Sequence, residues 1–326
     1  MNSKDQVILP GMMIPSFRVA RAVKNGVADK ILIKTWGGLG DQVCSEPTLR
    51  HAFKVFKNQQ ISLASEQPDL FTHLPFHEVF DLKKVRPVED NYMVLNTIVP
   101  PSDLLWEFFS HCVTNCVDFA SMCALRGQLP IADREIKLVG EAPEWKNDIP
   151  PTCIVIHAGK HWPSKTFPKC WWDDVIARIR EKDYVPVLIG KETDDNRSTV
   201  DVDPTGCIDL RNKTDLKSLI WLLQNVKALV TNDSSPLHIA ASGNAQIAFI
   251  ASCKHWDYIS HWRNGIWSWR MKNLGLDGLW NYLDQSPVQN KDVTVEFLPE
   301  GLMEKILPPP SEVANYAINC VKQDVN

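Results

Sequence analysis

The chain has 326 residues, 44% hydrophobic and 23% charged, with a net charge of −4. That composition fits about two globular domains and excludes a disordered chain, a collagen-like repeat and a disulfide miniprotein. The slight acidity argues against a surface wholly given to nucleic acid, though a local basic patch stays compatible with it.

Met1 to Met13 carry no basic stretch followed by a long apolar run, so no signal peptide is expected. No stretch nears the ~20 apolar residues of a membrane span. Nine Cys, an odd number without CxxC, point to reduced thiols and a cytoplasmic protein. Cys112, Cys116, His111 and Cys123 lie close in sequence, but small buried thiols explain them better than a metal site. Tryptophan is unusual: 12 Trp stand against 5 Tyr, and Trp256, Trp262, Trp267, Trp269 and Trp280 are clustered.

Residues 1–30 read as an N-terminal extension with one short helix near Phe17 to Asn25. Ile31-Leu32-Ile33 is the first strand. The loop Trp36 to Asp41 and a helix through about Lys57 follow. Strands are expected at Gln60 to Ala64, Val79 to Leu82 and Met93 to Leu95. The order strand, glycine loop, helix, strand opens an α/β unit with a parallel sheet. Ser102 to Leu125 reads as an aromatic-rich helix whose Trp106, Phe108, Phe109 and Phe119 fit the core better than an acceptor wall. Polar, proline-bearing Glu141 to Pro151 reads as a linker.

The pattern then restarts. Cys153 to Ile156 is a strand, Trp171 to Lys182 a helix and Val185 to Ile189 a strand. Leu216, Leu219, Ile220 and Leu223 form a helical stripe. Ala228 to Thr231 and Gln246 to Ile250 are further strands. Two successive α/β halves, 31–146 and 147–310, predict two Rossmann-like domains facing a cleft, with ligands beyond the C-terminal strand ends. Pro308-Pro309-Pro310 break the chain before a final helix in 311–326, expected to cross back to the first domain.

Three loops carry candidate chemistry. Asn232 to His238 follows a strand and opens a helix, with Ser235 read as N-cap, Pro236 as the first helical residue and Gly243 as the stop. Its unpaired N–H groups make an anion site; Ser234 and Ser235 add hydroxyls, and His238 lies in the first turn. His157 to Pro168 follows another strand, and Lys160 or Lys165 there is suited to neutralise a phosphate. Gly37-Gly38-Leu39-Gly40-Asp41 is neither GxGxxG nor Walker A. Gly38 and Gly40 permit a ligand's close approach, and Asp41 is either an N-cap or a general base. Asp201-Val202-Asp203 formally matches a metal-binding DxD, but its polar setting reads as a surface turn.

Together these loops resemble glycosyltransferase family 9, the lipopolysaccharide heptosyltransferase family. The resemblance rests on Gly40-Asp41 with Pro47, Lys165-Thr166-Phe167-Pro168, Gly190-Lys191-Glu192, Asp209-Leu210 and Asn232 to Ala241. It is strongest over about 150–250, moderate over 31–66, and weak over 90–140 and beyond 252. It implies a GT-B fold, with 31–146 as acceptor domain and 147–310 as donor domain. It also implies inverting transfer of a sugar from a nucleotide-diphosphate donor to a glycan or lipid-linked saccharide, without a metal or other cofactor. By the same resemblance Asp41 is the catalytic base, Lys165 binds the diphosphate and Glu192 the ribose. Asp233, Ser234, Ser235 and His238 line the donor pocket. The chain departs from the family in its N-terminal extension, in Ser235 where a Gly is usual, and in Ile250 to Trp256 where a Phe-Gly-Pro-type segment is usual.

That last departure adjoins the tryptophan cluster. Trp256, Trp262 and Arg263 are therefore candidates for acceptor specificity, with peripheral membrane contact one route to a lipid-linked acceptor. Lys254, Arg263, Arg270 and Lys272 against Asp257 leave a local charge of +3 among the Trp. Basic and aromatic groups together suit bases and phosphates, so a glycosyltransferase acting on DNA bases is an alternative. A non-catalytic sugar-nucleotide or glycan-binding protein on the same scaffold is another. A dehydrogenase is disfavoured for want of a dinucleotide fingerprint.

Overall fold

The structure is a computed structural model. It describes residues 29–97, 119–126, 129, 134–160, 165–191, 199–250 and 307–322, with the backbone of three short strands at 262–263, 266–267 and 271–273. The N-terminal helix expected near Phe17 to Asn25, and Trp106, Phe108 and Phe109, lie outside the described residues, as does the side chain of Phe119.

The first half begins with β1 (Lys30–Thr35), α1 (Leu39–Val55), β2 (Gln60–Ser65), β3 (Val79–Asp81) and β4 (Met93–Asn96). All four strands run parallel in the order β3-β2-β1-β4. Ile31, Leu32 and Ile33 of β1 are fully buried, as a central parallel strand covered on both faces requires. Order reverses at β1, between β2 on one side and β4 on the other, so the loop leaving β1 opens at a topological switch point.

Pro47 stands inside α1, where it lacks the N–H that would reach back to the Val43 carbonyl. Side chains reinforce the helix there. Buried Glu46 accepts from Arg50 Nε at 2.7 Å and from the Lys137 N–H at 2.9 Å, while Arg50 also donates to the Glu135 carbonyl at 2.6 Å. α1 is thereby tied to the segment leading into the second half. α2 (Phe119–Arg126) packs on α1, and its Met122 and Cys123 join the core.

The second half contains β5 (Cys153–His157), α3 (Lys169–Arg180), β6 (Val185–Leu188), β7 (Ile208–Asp209), α4 (Leu216–Asn225), β8 (Ala228–Asn232), α5 (Ser235–Ala240) and β9 (Gln246–Ile250). Beyond them lie β10 (Trp262–Arg263), β11 (Ile266–Trp267), β12 (Met271–Asn273) and α6 (Pro310–Lys322). A six-stranded parallel sheet runs β12-β9-β8-β5-β6-β7. Its order reverses between β5 and β8, whose residues are buried throughout. His157 ends β5 and Asn232 ends β8, so both stand at the second switch point. β10 and β11 pair antiparallel, Trp262 opposite Trp267.

Two expectations change, and the last helix gains a packing partner. Val313, Ala314, Ala317, Ile318 and Val321 are buried with Ile154, Ile156, Trp172 and Ile176, in the core of the second sheet. Their 3/4 spacing makes one apolar stripe, and α3 supplies the matching face. The linker is not a bare spacer. Glu144–Asp148 form a 3₁₀ turn, and Trp145 packs edge-on to Trp221 of α4, 6.5 Å between centroids. Gly243 is not the stop of α5, which ends at Ala240. A Cβ there would lie 2.5 Å from Gln224 Cα, so close approach of α4 is what needs the glycine.

One of the two buried cores is shared by both halves. Ile31, Leu63 and Leu95 of the first sheet belong to it together with Ile136 and Leu138 and with Val155, Leu229 and Leu237 of the second half.

Candidate active site

The loop after β1 and the loop after β8 meet. α1 and α5 pack against each other, with Gly40 at their contact. A Cβ at Gly40 would lie 2.7 Å from His238 Cδ2 and 3.4 Å from Ser235 Cα. Only a residue without a side chain lets the two helix starts come this near.

On the first-half side, Asp41 is the third residue of α1, and its Oδ2 accepts the Gly38 N–H at 2.8 Å. This is the returning half of a capping box, with Gly38 as N-cap. Asp41 is thus a helix-start carboxylate, though not the N-cap itself, and it is only half-buried. Gln42 holds the turn from behind, donating to the Gly37 carbonyl at 3.1 Å and accepting from Ser65 Oγ at 2.5 Å.

On the second-half side the N-cap of α5 is Ser234, one residue before the expected Ser235, and Pro236 follows at the second helical position. The Ser234 hydroxyl makes no capping bond to its own helix. It lies 3.0 Å from His157 Nδ1 and 3.1 Å from Thr231 Oγ1. Asn232 Nδ2 donates to the Gly159 carbonyl at 2.8 Å and to the Lys165 carbonyl at 2.5 Å, fixing both flanks of the loop that carries Lys165. Lys165 Nζ then reaches Asp233 Oδ2 at 2.5 Å, both side chains being about nine-tenths buried. His238 Nε2 stands 4.0 Å from Asp233 Oδ1. α5 has only six residues, so its N–H groups act locally and a long-helix dipole adds little.

Both histidines are neutral. Burial pushes His157 down to about 4, and it does the same to His238, where Lys165 adds to the effect and Asp233 opposes it. The cluster therefore offers one ammonium, one carboxylate, neutral imidazoles, hydroxyls and N–H donors. Such a set suits an oxyanion ligand, with Lys165 as the cation.

Residues 132–250 match the model of glycosyltransferase family 9 (heptosyltransferase). Over this stretch the chain is similar to that family. Its fold is that of solved family 9 and heptosyltransferase structures. A glycosyl transferase family 9 protein from Veillonella parvula aligns at TM-score 0.59 and 15% identity, over 90% of this chain and 98% of that one. The iron-containing dodecameric glycosyltransferase TibC of enterotoxigenic E. coli aligns at 0.62 and 14%, over 92% and 78%. The E. coli ADP-heptose lipopolysaccharide heptosyltransferase II aligns at 0.52 and 14%, over 91% and 100%. No curated protein matches the chain in sequence.

The family 9 match takes in Lys165, Asp233, Ser234, Ser235 and His238 but not Asp41. What joins Asp41 to the others is the packing of Gly40 on His238. Lys160 is exposed at the start of its loop. Glu192 and Trp256 lie outside the described residues, and Trp262 and Arg263 are placed by backbone alone. The basic-aromatic segment behind the DNA reading falls there too. Asp201 and Asp203 occupy an exposed turn, where Asp201 faces Arg211 at 3.6 Å and Asp203 accepts the Thr205 N–H at 3.0 Å, with Val202 buried between them. Among the described residues no group of three His, Cys, Asp or Glu is placed to hold a metal ion, and no helix is long and apolar enough to cross a membrane.

Sequence reasoning assigned no role to His157, Thr231 or Asn232. The signal was available: His157 and Asn232 end the two strands between which the sheet order reverses, where ligands of open α/β sheets bind.

Proposed function

We propose that the chain moves a sugar from a nucleoside-diphosphate donor to a hydroxyl of a glycan or lipid-linked saccharide, in a cytoplasmic setting, with inversion and without a metal ion. The observation that carries this reading is the meeting of Asp41's helix with the Lys165–Asp233–His238 cluster across Gly40. A half-buried carboxylate and a cluster whose chemistry suits an anion then lie at adjoining loop ends. The six described cysteines are thiols, which fits a reducing compartment.

In this reading Asp41 removes the proton from the acceptor hydroxyl. The acceptor oxygen attacks the anomeric carbon as the bond from that carbon to the diphosphate oxygen breaks. The electron pair leaves with the diphosphate, and a single displacement inverts the centre. Lys165 and the N–H donors at the start of α5 stabilise the developing negative charge, so no divalent cation is required. The description of the matching family and the E. coli heptosyltransferase II make heptose a natural first sugar to try.

The test is a panel of nucleotide sugars, ADP-heptose among them, scored first by thermal shift and then by turnover with saccharide acceptors in EDTA. Binding plus EDTA-resistant turnover supports the reading. No binding of any member of the panel refutes it. Asp41→Asn keeps an acceptor oxygen for the Gly38 N–H, so it preserves the helix start. It is expected to lower turnover by about 10²–10⁴ while leaving donor affinity within about twofold. A wild type that binds donor yet turns over no acceptor would favour a sugar-nucleotide-binding protein.

A further inference from the structure

We propose that Cys44 is a positioning residue whose thiol, reaching from α1 to α5, holds His238 in the tautomer that carries its proton on Nε2. Its consequence for donor binding rests on the glycosyltransferase reading; the tautomer itself does not.

Cys44 Sγ lies 3.4 Å from His238 Nδ1, and both residues are buried. Gly40 is one turn earlier on the same face of α1, since residues four apart are neighbours on a helix. α1 therefore grips the ring at two places, Gly40 against the Cδ2 edge and Cys44 against Nδ1. On the other side Nε2 faces Asp233 Oδ1 at 4.0 Å.

A neutral imidazole has one N–H donor and one bare acceptor nitrogen. The carboxylate favours the proton on the nitrogen turned toward it, which is Nε2. Nδ1 is then the acceptor, and the Cys44 S–H donates to it. Burial, which keeps the ring neutral near physiological pH, is consistent with this arrangement.

The orientation matters for an anion. With its proton on Nε2, His238 offers a donor on the side of Lys165 and Asp233, where diphosphate oxygens would be received. With the proton on Nδ1 it would turn a lone pair toward the same oxygens. Cys44 follows Asp41 by three residues, so one helix carries the proposed base and sets the donor-side imidazole.

The test is ring-nitrogen NMR of His238 in the ¹⁵N-labelled full chain without ligand, assigned by loss of the signals in His238→Gln. The wild type and Cys44→Ser, which keeps a donor, are expected in the Nε2–H form. Cys44→Ala and Cys44→Val, which remove it, are expected to shift toward Nδ1–H. Val nearly preserves volume and carries the test if Ala does not fold. With ADP and inorganic pyrophosphate as probes, Ala and Val should bind about fivefold more weakly, as for one lost hydrogen bond, and Ser should bind like the wild type. An Nδ1–H ring in the wild type overturns the proposal. So does an unchanged tautomer in a folded Ala or Val variant, or a Ser variant that behaves like Ala. If neither probe binds the wild type, the consequence for diphosphate binding fails, the nucleotide-sugar panel alone decides the glycosyltransferase reading, and the NMR result still decides the role of Cys44.

Discussion

The two turns that meet at Gly40 and His238 are held by different means. Before α1, the chain turns on glycines, and Asp41 closes the helix start with one bond to the Gly38 N–H. Before α5, side chains hold the turn: His157 and Thr231 take the Ser234 hydroxyl, Asn232 clamps the Lys165 loop, and Asp233 pairs with Lys165. The first arrangement tolerates loss of a charge, because an amide can keep the same bond. The second is a network of buried polar groups in which each relies on the next, so removing one leaves others exposed to a low dielectric.

Lys165→Met is the most damaging way to probe that contrast. It strands the Asp233 carboxylate in a site only 7% exposed, and a loss of about 3–5 kcal/mol in urea denaturation is expected. Adding Asp233→Asn should return most of the stability without returning nucleotide binding. Asp41→Asn, by comparison, should leave the urea midpoint almost unchanged.

Acid should find the same asymmetry. His157 and His238 titrate near 4 in the folded chain against 6.5 for an ordinary imidazole. In that interval the unfolded chain binds more protons, so stability rises with pH. It is complete above about pH 6.5 and is lost as the pH falls toward about 4. The two rings together account for a loss on the order of a few kcal/mol. Denaturant titrations across the interval measure it, and His157→Asn should flatten the profile.

Gly40→Ala tests the junction itself. Its Cβ would meet His238 Cδ2 at 2.7 Å, so the ring or the helix must shift, at about 1–3 kcal/mol in thermal denaturation, with weaker nucleotide binding. Val88→Ser marks the small end of the scale. Val88 is 71% exposed, and a change within about 0.5 kcal/mol is expected.

Most of the architecture was legible in the chain. Apolar runs such as Ile31-Leu32-Ile33 and Cys153 to Ile156 announce central parallel strands because both faces are covered. The start of α5 was read within one residue, yet its cap was misassigned. Local pattern favours Ser235 before Pro236, whereas the backbone is extended at Ser234, and a histidine 77 residues earlier occupies its hydroxyl. Such long-range bonds leave no periodic trace. The destination of α6 was hidden for the same reason. Its stripe shows that it packs, not upon what. The hairpin of β10 and β11 was missed although Asn264-Gly265 separates the two strands, a strong short-range hairpin signal. Of the cluster, Lys165 and His238 stand out by residue type and loop position, whereas Asp233 is marked only by the family resemblance. Cys44 was passed over because nothing near it in sequence reveals that a histidine 194 positions later faces it.

The shared core has a consequence for how the molecule comes apart. Ile136 and Leu138 lie in the stretch that joins the two sheets and are buried with both. Lys217 reaches across to Thr72 Oγ1 at 2.7 Å, and Gln224 donates to the Leu138 carbonyl at 2.9 Å. Neither half can melt without uncovering apolar surface of the other. Unfolding should be one cooperative event rather than two, and a chain severed near residue 146 would yield two sticky fragments instead of two independent domains.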